Sequence, residues 1–290
     1  MKNVATWEQL LYPGNSTDFF AREKFPSFDP DAGGYSQANA LWLAELSRLV
    51  YRHDREEGNP PPEPTRTSFL EKADFSQKSF HLCRETDTQA MLVERTDGAF
   101  AVLAFRGTEQ TIQDYLTDIE VGRFAIRDLI SDLEDEPAVL SDEKIEIHEG
   151  FLKALDSVWG SIEISLRDLK CPVFFTGHSL GAALATISST RIKPRAVYTF
   201  GSPRAGNQEF ADSLSGIPIY RVVDDEDIVT TVPPEELGYV HVGEAHRLAA
   251  PPGTYSIGEL FELIPPKPLD DHAPVNYVDR IMTTSKKGNE

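Results

Sequence analysis

The chain has 290 residues, of which 47 are acidic and 28 are basic, so its formal net charge is −19. Hydrophobic residues make up 40% and charged residues 26%, a composition typical of globular proteins rather than disordered ones. The acidic excess argues against a nucleic-acid partner and against docking on anionic lipid by charge alone. Two cysteines, Cys83 and Cys171, allow at most one internal bridge, so this is not a disulfide scaffold.

The sequence carries no membrane-spanning or secretory signature. No run of about 18 apolar residues occurs, so no transmembrane segment is predicted. The first residues lack the apolar core of a signal peptide. We therefore expect a cytoplasmic location or export by a route that needs no such signal.

The N-terminal third predicts an arm, a helix and a hairpin. Residues 1–34 are rich in proline and glycine and predict a loop-rich arm. A helix begins near Ser36, a suitable N-cap, and continues with apolar residues at three- to four-residue spacing. Residues 89–94 and 99–105 predict two strands joined by a turn at Gly98.

The rest of the chain alternates apolar runs with helical patterns. A helix is predicted over 151–169, and apolar runs at 173–175, 196–200 and 219–223 predict buried strands. Continuous apolar strands are typical of parallel sheets covered on both faces. The sequence therefore predicts one α/β domain, with an insertion at 109–146 that is acidic in its second half and a frayed polar tail at 283–290.

The segment around Ser179 is the most informative part of the sequence. Gly177-His178-Ser179-Leu180-Gly181 follows an apolar strand and precedes a helix of small residues. A serine on such a sharp turn exposes its hydroxyl, and glycines on either side remove Cβ atoms that would clash. The helix N-terminus directs partial positive charge towards an anion forming there. The pattern indicates a nucleophilic serine, and the alternative is a purely structural glycine turn.

A nucleophilic serine needs a base that a third group orients. In α/β-hydrolases the chain order is serine, acid, histidine. Candidate acids follow the predicted strand 219–223 at positions 224–227, and the histidines beyond Ser179 and its own turn are His241, His246 and His272. The residue types alone leave both choices open.

Six segments in order resemble the class 3 lipases, the fungal-type lipase family of the α/β-hydrolase superfamily. The resemblance covers about Tyr35 to Asp279. The segments are FRGT at 105–108, IHEGF at 147–151, GHSLG at 177–181, TFGSPRAGN at 199–207, RVVDDEDIV at 221–229 with Pro233-Pro234, and Asp271-His272 with Tyr277.

The resemblance implies a catalytic triad of Ser179, Asp227 and His272. It also implies an oxyanion hole formed by the backbone N–H of Leu180 and by Thr108. Asp224 would then be a structural turn residue. The alternatives are Asp224 or Asp225 as the acid and His241 as the base.

The resemblance further implies the α/β-hydrolase fold, with a helical lid after the strand that carries the oxyanion residue. The segment after Thr108 fits an amphipathic helix, since its apolar residues recur at helical spacing. These residues are Ile112, Tyr115, Leu116 and Ile119. Asp118 resembles the acid that braces the oxyanion residue. The alternative is an ordinary packed helix.

The implied activity is serine ester hydrolysis. The substrates would be carboxylic esters of lipids, including esters at an oil–water interface, and the reaction would pass through an acyl-enzyme without metal or organic cofactor. Phospholipase A1 or feruloyl-type esterase activity is the alternative on the same fold, because a fold does not fix its substrate. A catalytically silent lipase-like binding protein is the alternative from another class.

Overall fold

The computed structural model describes residues 5–22, 25–54, 60–107, 137–139, 144–248 and 265–287. The strands within these ranges are β1 Phe75–Cys83, β2 Thr88–Arg95, β3 Ala101–Phe105, β4 Pro137–Val139, β5 Glu146–His148, β6 Val173–His178, β7 Ala196–Phe200, β8 Ile219–Asp224 and β9 Glu244–Leu248. The α-helices are α1 Trp7–Leu11, α2 Gln37–Leu49, α3 Arg66–Lys72, α4 Glu149–Arg167, α5 Leu180–Ser188, α6 Gln208–Ser213, α7 Lys267–Asp270 and α8 Pro274–Lys287.

Seven strands form one sheet in the order β1-β2-β3-β6-β7-β8-β9. The β1-β2 and β2-β3 pairs are antiparallel, and the four pairs from β3 to β9 are parallel. The prediction of a mostly parallel central sheet is therefore confirmed. The strands β4 and β5 form a separate antiparallel pair within and beside the predicted insertion.

Helices cover both faces of the sheet, because strands with continuous apolar sequence must be buried on both sides. One core packs α2 and α8 against side chains such as Val102 and Phe200. The other packs α4 and α5 against alternate residues of the same strands, such as Leu103 and Val197. All five residues of β3 are buried, as this two-sided packing requires.

Several predicted elements are confirmed with small shifts at their ends. Ser36 caps α2 by accepting a hydrogen bond from the backbone N–H of Asn39 at 3.2 Å. The predicted hairpin is β2 and β3, and Gly98 has a φ of +73° in the turn between them. The helix predicted over 151–169 is α4, which begins two residues earlier.

The termini are more helical than the sequence predicted. The arm contains α1, whose N-cap Thr6 forms a capping box with Gln9. Its Ala5 and Leu10 pack on Leu269 and neighbouring side chains, so an apolar contact remote in sequence stabilises this helix. The predicted frayed tail, 283–290, begins inside α8, which extends to Lys287.

Parallel strands place their carboxyl ends at one edge of the sheet, where α/β proteins bind ligands. The nucleophile turn at Ser179 follows β6, and the loop with Asp227 follows β8, so the fold brings both to this edge. No helix in the described residues is long and apolar enough to cross a membrane.

Candidate active site

Ser179 occupies a strained turn between β6 and α5. Its φ of +58° and ψ of −130° lie where non-glycine residues are rare, and such strain clusters at functional sites. The backbone N–H of Ser179 donates to the carbonyl of Phe200 at 3.0 Å, which ties the turn to β7. The residue is 7% exposed. This is the sharp strand-to-helix turn predicted for a nucleophile.

Two glycines allow the turn to close. A Cβ on Gly177 would lie 2.2 Å from the carbonyl oxygen of Gly181. A Cβ on Gly181 would lie 2.3 Å from the carbonyl oxygen of Phe105. Real Cβ atoms do not approach backbone so closely, so a side chain at either position would push α5 away from the sheet.

His272 and Asp227 form a buried pair. The His272 Nδ1 lies 2.9 Å from both carboxylate oxygens of Asp227, and the two side chains are almost fully buried. A carboxylate only accepts, so Nδ1 carries the proton and Nε2 keeps its lone pair. That Nε2 is buried and has no hydrogen-bond partner among the described residues. The arrangement leaves an imidazole nitrogen available to accept a proton.

The other candidate acids and bases are engaged elsewhere. Asp224 pairs with Arg280 at 2.5 Å, and Asp225 pairs with Lys267 at 2.6 Å. His241 donates from Nε2 to the backbone carbonyl of Thr230 at 2.8 Å, because a carbonyl can only accept. Of the acids weighed from the sequence, the structure therefore brings only Asp227 against His272.

Tyr277 is a functional position to which sequence reasoning gave no role. Its hydroxyl donates to Asp227 Oδ2 at 2.5 Å and accepts from the backbone N–H of Asp224 at 3.2 Å. Burial raises the pKa of Tyr277 well above its ordinary value, with the charge of Asp227 as the next cause, so the phenol stays protonated. Tyr277 thus holds the carboxylate in the orientation that meets His272.

A second network links three parts of the site through Tyr51 and His178. The Gly107 backbone N–H donates to the Tyr51 hydroxyl at 3.1 Å, and this hydroxyl lies 3.1 Å from His178 Nδ1. His178 Nε2 lies 2.7 Å from the backbone carbonyl of His272 and must donate to it. His178 is therefore protonated on Nε2, and its Nδ1 accepts from Tyr51.

This network requires His178 to remain neutral beside the second imidazole. The His178 and His272 rings have centroids 4.5 Å apart. Burial lowers the pKa of His178 well below its ordinary value, and the charge of His272 adds to this effect. A neutral His178 can link the end of β3, the turn at Ser179 and the loop that carries His272 through hydrogen bonds. It does so without competing for the proton that His272 takes.

Near the pair lies a buried cluster of three carboxyl groups around Arg280. Its Nη1 contacts Asp224 at 2.5 Å and Asp271 at 2.7 Å, and its Nη2 contacts Asp270 at 3.4 Å. Burial raises the pKa of Asp224 to about 8, against the lowering effect of Arg280. The cluster anchors α8 and the His272 loop to the end of β8.

The pKa of Asp224 predicts a change of stability with pH. In the folded protein Asp224 therefore contacts Arg280 as a neutral carboxyl group up to about pH 8, whereas the unfolded chain releases this proton near pH 4. Between these values the folded state binds more protons, so its free energy of unfolding falls as pH rises. We expect Asp224→Asn, which cannot ionise, to gain stability relative to wild type by at least ~1 kcal/mol between pH 5 and pH 8.

Urea unfolding at pH 5, 6, 7 and 8 measures this difference. Asp225→Asn is the control, because it makes the same change at the next residue of the chain, which is exposed. A difference between Asp224→Asn and wild type that stays constant with pH would contradict the raised pKa.

Part of the predicted site lies outside the described residues. These positions are Thr108, Ile112, Tyr115, Leu116, Asp118 and Ile119. The roles of Thr108 as the second oxyanion donor, of Asp118 as the acid that supports Thr108, and of the amphipathic segment as a lid therefore stay predictions. Leu180, the other predicted oxyanion donor, is the first residue of α5, where backbone N–H groups are not used within the helix.

Comparison with known proteins gives consistent matches. The family model for lipase (class 3) matches residues 102–237. A Fusarium solani protein named secreted mono- and diacylglycerol lipase 1 is 35% identical over 128 residues, covering 39% of this chain and 38% of that protein. A Rhizomucor miehei lipase is 29% identical over 177 residues, covering 55% and 45%. The aligned part of this chain thus spans less than half the length of these curated relatives.

A solved structure gives the same result for the fold. It is a triacylglycerol lipase whose catalytic centre is described as a serine protease triad, and it matches with a TM-score of 0.57 and 25% identity. The match covers 72% of this chain and 79% of that one. Sequence motifs, sheet topology and these matches agree that residues 102–237 are similar to the class 3 lipase family and that the chain has the α/β-hydrolase fold.

Proposed function

We propose that this protein is a serine hydrolase that cleaves carboxylic esters of lipids through an acyl-enzyme. The observation that carries the proposal is the buried Asp227–His272 pair, whose Nε2 has no partner among the described residues. This pair lies beside the strained turn of Ser179, since the ring of the adjacent His178 packs against His272. The lipases named above support a lipid ester as the substrate.

The residues suggest the following reaction. His272 Nε2 accepts the Ser179 hydroxyl proton as the oxygen attacks the ester carbonyl, and Asp227 stabilises the imidazolium that forms. The backbone N–H of Leu180, at the N-terminus of α5, donates to the oxyanion, and Thr108 supplies the second donor. His272 then gives its proton to the leaving alcohol, and water hydrolyses the acyl-enzyme with His272 again as base.

An organophosphonate probe tests the nucleophile directly. We expect one phosphonate per chain, located on Ser179 by peptide mass spectrometry, because attack at phosphorus uses the same base and oxyanion donors. His272→Gln should label at least ~10³-fold more slowly, since the serine loses its base. Wild-type protein that takes up no probe would favour the silent binding protein instead.

Substrate comparison then assigns the ester class. The initial rates on tributyrin and triolein emulsions should exceed those on phosphatidylcholine and methyl ferulate. Faster release of fatty acid from position 1 of phosphatidylcholine would identify a phospholipase A1, and faster hydrolysis of methyl ferulate would identify a feruloyl-type esterase. Labelling of Ser179 is common to all three outcomes, so it tests the mechanism separately from the substrate.

A further inference from the structure

A cationic cluster lies on the sheet beside the loop that follows β8. It comprises Arg204, Arg221 and Arg247, and we call it the arginine cluster. Arg221 belongs to β8, Arg247 to β9, and Arg204 to the loop after β7. The three guanidinium groups repel one another. Arg221 forms no ion pair with any described residue, so no carboxylate there offsets this repulsion. Such an arrangement is unusual in a chain with a net charge of −19.

The register of the strands shows which side chains lie beside Arg221 on the same face of the sheet. Thr199 on β7 pairs with Arg221 on β8, and Arg221 pairs with Ala245 on β9. Paired residues of parallel strands project from the same face of the sheet. Thr199 and Arg221 therefore stand side by side on the face that α4 and α5 cover, and the small, exposed Ala245 leaves the row open to solvent at the edge strand.

Three polar atoms of this row and of the neighbouring His241 are buried without a partner among the described residues. They are the Thr199 Oγ1, the Arg221 Nε and the His241 Nδ1, and the charge of Arg221 acts on His241. Thr199 has no exposed surface at all. A buried polar group left without a hydrogen bond destabilises the fold, so three together indicate that something polar binds between them.

The charges define what can bind. Burial lowers the pKa of His241 to about 3. The positive charge of Arg221 lowers this pKa further, and those of Arg204 and Arg247 add smaller contributions. Burial and the two neighbouring arginines also lower the pKa of Arg221 to about 10. Among the described residues, the one carboxylate that forms an ion pair with the cluster is Glu235, which lies 2.7 Å from Arg204 and does not pair with Arg221.

We infer that the arginine cluster, with Thr199 and His241, binds a phosphate group. An Arg221 guanidinium and a Thr199 hydroxyl donate to phosphate oxygens. His241 donates from Nε2 to Thr230, so its Nδ1 is an acceptor and needs a ligand that carries a proton. Hydrogen phosphate supplies both oxygens and an O–H, whereas sulfate at neutral pH has no proton to donate.

This site connects to the loop that carries Asp227. His241 donates to the carbonyl of Thr230, and the Thr230 hydroxyl and N–H donate in turn to the carbonyl of Asp227 at 2.8 and 3.3 Å. Arg204 donates to the carbonyl of Pro233 at 2.9 Å, further along the same loop. Phosphate binding therefore stabilises the segment that follows β8, and with it the position of the proposed triad acid.

Calorimetric titration and thermal unfolding with inorganic phosphate test the inference. Wild-type protein at pH 6.5 should bind one phosphate per chain, and its Tm should rise by about 2 to 4 °C at saturation. Sodium sulfate and sodium chloride at the same ionic strength should give smaller shifts. Binding does not depend on ester hydrolysis, so its outcome is separate from that of the proposed function.

Two variants and a matched control locate the site. Arg221→Gln and Thr199→Val should each weaken phosphate binding by at least ~10-fold, the loss expected for one charged or buried hydrogen-bond partner. Thr199→Val removes an unpartnered hydroxyl at nearly constant volume, so it should fold as well as wild type without phosphate. Arg195→Gln, at an exposed arginine outside the cluster, should bind phosphate like wild type.

The inference would be overturned by an absence of saturable phosphate binding to wild type, by unchanged binding in both Arg221→Gln and Thr199→Val, or by an equal response to sulfate. Equal weakening by Arg195→Gln would show a non-specific charge effect and would also overturn it.

Discussion

Replacing Ser179 with alanine should lower kcat on a tributyrin emulsion by at least ~10³-fold, as removal of a triad nucleophile does in other serine hydrolases. The variant lacks the only atom proposed to attack the ester carbonyl. The Asp227–His272 pair does not depend on the serine, because its hydrogen bonds run between the two side chains and Tyr277. A pH-stat assay of released fatty acid, with wild type beside the variant, measures the effect.

Ser189→Ala is the matched control for this loss. Ser189 directly follows α5, and its hydroxyl donates to the carbonyl of Ala185 at 3.3 Å, away from the proposed site. Its removal should change stability by about 1 kcal/mol and leave kcat within a factor of two. If Ser179→Ala kept more than a tenth of wild-type activity while both variants unfolded at similar temperatures, Ser179 would not be the nucleophile.

Much of the architecture was predictable from local patterns. Continuous apolar runs predicted the buried parallel strands, and the structure confirms β6, β7 and β8 close to their predicted bounds. The position of Ser179 followed from a strand, two glycines and a helix of small residues, all within about 20 residues. Such features depend on neighbours in sequence, so composition and spacing suffice to predict them.

The contacts that support the site were not predictable in the same way. Tyr51 meets His178 across 127 residues, and Tyr277 meets Asp227 across 50. Nothing in the local sequence of Tyr51 or Tyr277 distinguishes either tyrosine from an ordinary core residue. The choice of Asp227 over Asp224 and Asp225 was open for the same reason, because it depends on which carboxylate Arg280 and Lys267 take up.

Gly201 illustrates a requirement that only the folded structure shows. It follows β7 with a φ of +59°, and a Cβ there would lie 2.7 Å from Asp227 Oδ2 and 3.0 Å from His272 Nδ1. These are the two atoms that form the acid–base hydrogen bond. An alanine would have to separate them or displace one side chain, because neither is a flexible surface group.

We therefore expect Gly201→Ala to lower kcat by about 10³- to 10⁴-fold, comparable to the loss when a triad aspartate no longer orients its histidine. The organophosphonate should react with Ser179 more slowly by a similar factor, since His272 would no longer be held as a base. Asp227→Asn provides the reference, and the double variant should lose little more than either single one, because both changes break the same interaction. Steady-state kinetics on tributyrin measures all three proteins.

Gly98→Ala controls for the strain of placing alanine at a positive φ. Gly98 has a φ of +73° in the β2–β3 turn, and a Cβ there would have no atom within 4 Å. This variant should lose stability by about 1 kcal/mol but keep its kcat, because its strain is remote from the site. If Gly201→Ala lost no more activity than Gly98→Ala, then the space above the Asp227–His272 hydrogen bond would not be essential, and the pair would tolerate displacement without losing its role.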